Sequence, residues 1–431
     1  MLTQIIFIAI LIISLGILTY SLLRIASFFK LTQSAFPIKD FGKRINISLQ
    51  VAFGQSKIFR LPLIGLVHAL VFWGFLVISL GSLEMIVDGV SGSERSFSNL
   101  GWIYNFVILT GDIFAYVVSA GIIIFLIRRL FMSIARFKGI ELKPKSKKDA
   151  NFALALILLL MISLAGMNVF YLHVHSENPE GIYPISQFLV PLVHNFSEQN
   201  LQILYSVSWW SHILLIFFFA NYLPYSKHFH VFASIPNVFL SSLEPLGKIP
   251  NMQSITSEVK IMMNPETAFS SPEDGTALIT RFGVKDIEDV TWKNYLDSLT
   301  CTQCGRCTAV CPANITGKKL SPRKVFIDIR QRMNDKGPGL IKQGKDFSDN
   351  KSLIKEYINT EELWACTTCN ACAMECPLNI SHPNLIIDMR RYLVMEEAAA
   401  PAGLNMMFTN IENNGAPWQY SPEDRLNWIE E

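Results

Sequence analysis

The chain has 431 residues, of which half are apolar and only 17% charged, with a net charge of +2. An ordinary soluble domain carries charge on about a quarter of its residues, so a purely soluble protein is excluded. No nucleic-acid partner is expected, and the bilayer is the first partner implied.

Apolar residues concentrate before residue 225, in runs that meet the roughly 20 helical residues needed to span a membrane. The hydropathy predicts spans at 3–25, 62–87, 104–130, 151–172 and 201–224. The first lacks a basic start and a small-residue cleavage site, and its apolar run is too long for a signal peptide. It reads as a helix. Between the first two spans lie Lys30, Lys39, Lys43, Arg44, Lys57 and Arg60, and from the end of the third to the start of the fourth lie Arg128, Arg129, Arg136, Lys138, Lys143, Lys145, Lys147 and Lys148. The alternate loops carry Arg95 alone or no base, together with Glu177, Glu180 and Glu198. Basic loops stay in the cytoplasm. The expectation is therefore a multi-pass inner-membrane protein with its N-terminus outside and its C-terminal half in the cytoplasm.

Ionisable or ligating residues inside spans are costly and point to function. His68 falls about two turns into the second span and His212 midway along the fifth. His228 and His230 follow in Leu223-Pro-Tyr-Ser-Lys-His-Phe-His230. A neutral imidazole is a common axial ligand of haem iron, and facing helices of a bundle hold such cofactors. Against this stands the plain alternative that each histidine bonds a carbonyl or caps a helix end.

From residue 231 the composition changes. Pro236, Pro245, Pro250, Pro265 and Pro272 rule out a long helix and predict a surface connector over 231–290. All eight cysteines follow, in two runs of one spacing: Cys301, Cys304, Cys307, Cys311-Pro312 and Cys366, Cys369, Cys372, Cys376-Pro377. This C-x2-C-x2-C-x3-C-P run wraps a 4Fe–4S cluster in bacterial two-cluster ferredoxins, the fourth cysteine serving the other cluster. The pattern assigns Cys301, Cys304, Cys307 and Cys376 to one cluster, and Cys366, Cys369, Cys372 and Cys311 to the second. Structural zinc would need neither the third cysteine nor the proline, and disulfides suit small secreted chains. Helices are predicted from about 322 to 333, opened by Pro322, and from about 353 to 364. The class is all-α: a five-helix membrane domain over 1–230, the connector, an α-helical ferredoxin domain over 291–400, and a tail over 401–431.

The stretch from His212 to His230 resembles the last span of the respiratory nitrate reductase gamma subunit, in which two histidines at this spacing each ligate one haem b. A closer resemblance is to the membrane subunit of heterodisulfide reductase, fused to the iron–sulfur subunit of that system. Asp289-Val-Thr-Trp292, Leu320-Ser-Pro-Arg323 and Met389-Arg-Arg391 carry the second part of it. The resemblance implies His68, His212 and His230 as haem ligands, with one or two haems b. In the gamma pattern a second histidine stands ten residues beyond His68, where this chain has Ile78. His68 then pairs with His230 and leaves His212 for His173, His175 or no partner. The other pairing joins His68 to His212.

No nucleophile–base pair, HExxH helix or G-x-G-x-x-G fingerprint occurs, so no catalytic residue is assigned and NAD or FAD binding is not expected. The reading is an electron-transfer subunit linking menaquinone or ubiquinone, through haem b and two 4Fe–4S clusters, to a cytoplasmic partner. The resemblance implies a Cys-Cys-Gly-domain subunit or electron-transferring flavoprotein as that partner. Trp418 in the tail is a candidate docking anchor. The rival is a haem-free, membrane-anchored ferredoxin that tethers a soluble dehydrogenase.

Overall fold

The computed structural model describes residues 1–139, 141–264, 281–344 and 346–429, and Pro265 and Pro272 of the predicted connector lie outside them. Among the described residues every regular element is helical, with two isolated bridges, Gln33 to Thr291 and Ile354 to Ile358. In chain order the helices are α1 Leu2–Phe29, α2 Phe41–Ile47, α3 Pro62–Ser91, α4 Trp102–Leu130, α5 Pro144–Val174, α6 Glu198–Tyr222, α7 His230–Phe239 and α8 Gln253–Met263. Then come α9 Trp292–Thr300, α10 Arg306–Ala309, α11 Pro312–Ile315, α12 Pro322–Gln343, α13 Thr360–Trp364, α14 Ala371–Glu375, α15 His382–Met395 and α16 Ala402–Asn414.

Helices α1, α3, α4, α5 and α6 are long and apolar enough to cross a membrane. Helix α5 is the innermost of them, packed on α4 and α6, while α3 lies on α4 and α1 lies against α3 and α6. One core joins Val118 and Ile122 of α4 to Ala153, Leu156 and Leu160 of α5 and Phe219 of α6. A second joins Phe7, Met85, Met167, Ile213 and Phe217. The outer faces show Ile12, Leu63, Leu83, Phe106 and Ile162. Helices satisfy their own backbone bonds, so an apolar exterior of this kind suits hydrocarbon. Helix α5 starts at Pro144 instead of 151 because its first turns are polar yet helical, and Asp149 there accepts from the Lys227 amide.

The cysteine-bearing half is built on α12 and α15. Val325, Phe326 and Ile329 pack against Leu385, Ile386, Met389 and Leu393. Helix α12 runs to Gln343, past the predicted end, and contains Pro338. Its extra turns are kept by burial of Lys336 and Leu340. The predicted helix at 353–364 is two pieces. Ile354 and Lys355 have non-helical torsions, and Asn359 caps a new start by accepting from the Glu361 amide.

An apolar seam fixes this half to the bundle: Phe28 of α1 and Phe229 and Ala233 at α7 meet Ile287, Tyr295, Leu299, Met333 and Leu340. Beside it, buried Asn237 of α7 donates to Asp297 Oδ1 at 3.0 Å and accepts from Lys293 Nζ at 3.0 Å. Fully buried Arg332 holds Asp286 and Asp349, and Lys336 also reaches Asp286. The tail forms α16 and a turn at Pro422–Ile429, with Trp418 half-exposed.

Candidate cofactor sites

The two cysteine runs adopt one backbone recipe twice. Gln303 (φ 58°) and Gly305 (φ 77°) in the first run match Thr368 (φ 54°) and Asn370 (φ 60°) in the second. Each pair turns the chain so that a short helix, α10 or α14, starts one residue before the third cysteine. Alternating left- and right-handed residues point successive amides into one concavity, an arrangement that favours anionic groups and recurs at iron–sulfur sites. Gly305 is obligatory in its setting, because a Cβ there would lie 2.8 Å from Arg136 O. Asn370 faces more open space and tolerates the left-handed region by its side-chain type. Cys311 (φ −75°, ψ 117°) and Cys376 (φ −69°, ψ 120°) are both extended, and this turns each fourth thiol away from its own run.

The consequence is an exchange of thiols. Cys311 lines a partly open cavity, about 310 Å³ counting the space open to solvent, together with Cys366, Cys369 and Cys372 of the other run. Cys376 has Cys304 and Cys301 as its cysteine neighbours, and Cys307 is surrounded by Cys304, Cys301, Cys376 and, more weakly, Cys372. All eight are free thiols. Among the described residues no group of three or more His, Cys, Asp or Glu converges as ligands of one metal ion do. Burial, reinforced by neighbouring thiols, pushes Cys372 up to about 12 and does the same to Cys376. Ligation of a cluster by these thiolates would release their protons. Eight thiols in two sets of four fit a pair of clusters as donors, and the cavity lies at the set of Cys311, Cys366, Cys369 and Cys372.

Each run also has its own arginine clamp. Arg330 donates from Nε to Ser298 O at 2.6 Å and from Nη2 to Leu299 O and Cys301 O at 2.5 and 3.1 Å. Arg390 does the same for Leu363 O and Cys366 O, at 2.6 and 2.5 Å. The clamps cover carbonyls released where α9 and α13 end, just before the first cysteine of each run.

The first run, through Arg306, and the C-terminal end of the second run both rest on the foot of the membrane bundle. Arg306 donates to Lys57 O at 2.8 Å and Ile58 O at 3.1 Å, Lys57 Nζ donates to Cys376 O at 3.2 Å, and Arg60 donates to Met374 O at 2.7 Å. Arg323 bonds Gln303 O, Arg136 O and Glu141. At the other end of the second run, Cys369 is exposed. Sequence reasoning missed Arg306, Arg330 and Arg390. Position was the only available signal: Arg306 stands inside a run, and Arg390 inside a segment singled out for its family likeness.

His68 enters α3 about 9 Å above its start, at 1.5 Å per residue, just above the foot that Arg306 grips. Its Nδ1 is buried with no hydrogen-bond partner, and its electrostatic neighbours are His230 and Arg306. His230 donates Nδ1–H to Lys227 O at 3.3 Å, which leaves Nε2 free. An orphaned imidazole beside one oriented by a carbonyl fits a haem ligand pair. His212 is separate. It is buried, and its Nδ1 contacts Leu160 O at 2.9 Å and Ser163 Oγ at 3.0 Å. It lines a partly open cavity of about 610 Å³ with Ile78, Gly81, Glu84, Arg95 and Gly111. Neither His173 nor His175 reaches that cavity: His175 pairs with Glu94 at 3.7 Å, and His173 lies against His194.

Residues 300–380 match the 4Fe-4S dicluster domain family. Over 94% of its length the chain is 28% identical to a probable iron-sulfur-binding oxidoreductase, FadF, of Bacillus subtilis, of which it covers 57%. It is 28% identical over 88% of its length to an EtfAB:quinone oxidoreductase of Syntrophomonas wolfei, covering 53% of that protein. Over about a third of its length it is 36% identical to a probable membrane-anchored ferredoxin of Chromohalobacter salexigens, covering 24% of it. The chain thus spans about half the length of the first two relatives. No solved structure matches. The protein is accordingly similar, over nearly its whole length, to iron–sulfur oxidoreductases, and it carries a 4Fe-4S dicluster domain behind five helices able to cross a membrane.

Proposed function

We propose that the chain is a membrane-bound electron-transfer subunit between the quinone pool and a redox partner on the cytoplasmic side. In this reading His68 and His230 hold one haem b, which supplies single-electron chemistry when bound. Cys301, Cys304, Cys307 and Cys376 hold the cluster next to the bundle, and Cys311, Cys366, Cys369 and Cys372 hold the outlying one. One observation carries the reading: Arg306 and Lys57 tie the first cysteine set to the foot of the helix that bears His68. That contact supports a path from the lipid through the first set toward exposed Cys369.

The chain's residues orient and tune this path. The arginine clamps fix the cysteine loops, and buried cations beside the first set favour the reduced, more negative state of a cluster. The N-terminus lies outside and the clusters lie in the cytoplasm, by the distribution of loop charge. The partner is a Cys-Cys-Gly-domain subunit or an electron-transferring flavoprotein, and the flavoprotein is favoured by what the Syntrophomonas relative is named for. The connector spans 231–290, the ferredoxin domain 291–400 and the docking tail 401–431, with Trp418 as an anchor for that partner.

Reduced-minus-oxidised spectra and EPR of the purified chain test the assignment. His68→Ala should abolish the haem b α and Soret bands while leaving the cluster signals. Unchanged haem content in that variant refutes the ligand assignment. Absence of haem b from the unaltered protein returns the chain to a haem-free anchored ferredoxin.

A further inference from the structure

The outer half of the bundle holds a second centre that the cysteine–histidine path does not use. Its partly open cavity, about 610 Å³ counting the space open to solvent, is walled by α3, α4, α5 and α6. Ile78 sits there, ten residues along α3 from His68 and so about 15 Å further along the axis. His212 is the only imidazole among the lining residues, so the wall offers a haem a single imidazole.

The polar groups of the wall divide sharply into used and unused. Asp112 accepts from the Ile185 amide at 2.8 Å, the Ser186 amide at 3.0 Å and Asn168 at 3.1 Å. Asp88 accepts from the amides of Arg95 and Ser96, and Glu84 accepts from the Phe97 amide at 3.1 Å. Arg95 is different. It is the lone base of its loop, yet it folds inward to 9% exposure, with Nε and Nη2 lacking any partner. Its Nη1 reaches Glu84 only at 4.0 Å, and its guanidinium lies 4.2 Å from the centre of the Tyr171 ring. A buried donor left unpaired costs about 1–3 kcal/mol, so a ligand acceptor is the natural completion. His212 offers the complement. Leu160 O can only accept, so Nδ1 carries the proton and Nε2 keeps its lone pair for the cavity.

Two glycines supply the space. Gly81 of α3 and Gly111 of α4 line the cavity, and a Cβ on either would meet nothing within 4 Å. Glycine inside a helix costs roughly 0.5–1 kcal/mol relative to alanine, and backbone bared to a ligand is a reason to keep it.

We propose that this cavity binds the head group of a para-quinone, in place of a second haem. Arg95 donates to one ring oxygen, and His212 Nε2 accepts from the hydroxyl at the opposite end of the reduced form. Val77, Ile78, Val107, Ile108 and Leu164 flank the ring plane. The inference rests on the quinone-coupled reading above and gives it a location.

The test uses the purified, haem-loaded full chain in detergent, titrated with the quinol analogue 2-heptyl-4-hydroxyquinoline N-oxide by fluorescence quenching. Haem is counted in parallel as the pyridine haemochrome. Gly81→Leu fills open space and improves helix propensity, so it should fold with unchanged haem content and bind the analogue at least about tenfold more weakly. Arg95→Gln should weaken binding in the same direction. Unaltered affinity in both variants overturns the location while leaving quinone coupling intact. Two haems per chain, falling to one in His212→Ala, overturn it by showing that the cavity holds haem. If the unaltered chain neither binds the analogue nor has its haem reduced by menaquinol, the proposal falls together with the quinone-coupled function.

Discussion

Replacing Arg306 with alanine should loosen the joint between the cysteine half and the bundle without unfolding either. The side chain is buried, and it gives charge-assisted bonds to Lys57 O and Ile58 O at 2.8 and 3.1 Å. Its third partner, Glu375, is 3.7 Å away and keeps Arg60 at 3.2 Å, so it is not orphaned by the change. A hydrogen bond to a charged group contributes about 1.5–3 kcal/mol. Lys57 and Ile58 are half-buried, so water reaches the vacated carbonyls and the lower end applies, about 3 kcal/mol for the two bonds. In hydrogen–deuterium exchange of the full chain, amides of 55–65 and 301–311 should then exchange about a hundredfold faster. Amides around Asp286, in a separate network, should not change. Arg306→Lys keeps the charge but loses the planar fork, and should fall between. Equal protection of both segments in Arg306→Ala and the unaltered chain refutes the claim that this arginine holds the joint.

Two further outcomes are expected. Cys311→Ser should diminish the EPR signal of the outlying cluster alone, because that thiol lines the cavity with Cys366, Cys369 and Cys372; loss confined to the cluster of its own run would mean the thiols are not exchanged. The hydrogen bonds of Arg332 hold Asp349 at about 2, below its ordinary 3.8. The stabilisation is therefore complete above pH 3.8 and disappears as pH falls through about 2. Asp349→Asn should be the less stable protein at neutral pH, and the difference in circular-dichroism unfolding should close toward pH 2. A constant difference across that range would exclude the carboxylate as its source.

Much of this architecture was legible because the bilayer imposes length and composition. The span predicted at 104–130 is the helix Trp102–Leu130, and the one at 62–87 extends only to Ser91. Hydropathy failed where helices continue in polar sequence. The first turns of α5 carry Lys145, Lys147 and Lys148, and their helicity comes from contacts with the turn around Lys227. Asn334-Asp-Lys-Gly-Pro-Gly339 reads as a stop, yet α12 passes through it because Lys336 is anchored to Asp286 and Leu340 lies in the seam. The cysteine spacing announced its own chemistry, but not the left-handed Gln303 and Thr368 inside the runs. The arginines did not announce theirs. Their acceptors are backbone carbonyls up to 249 residues distant, and a carbonyl has no residue type to recognise. Arg95 was visible as a lone base, but not its inward fold, which depends on Tyr171 and Tyr183 from another loop and helix.

The apolar seam of Phe28, Phe229, Tyr295 and Met333 has a consequence for how such a protein meets its partners. A diffusing ferredoxin must offer one surface to donor and acceptor in turn, and its recognition is a compromise between the two. In the function proposed above, one of the two encounters is permanent and intramolecular, so its rate would not depend on concentration. The surface around Cys369 is released from that compromise. It is free to be shaped for a single visitor.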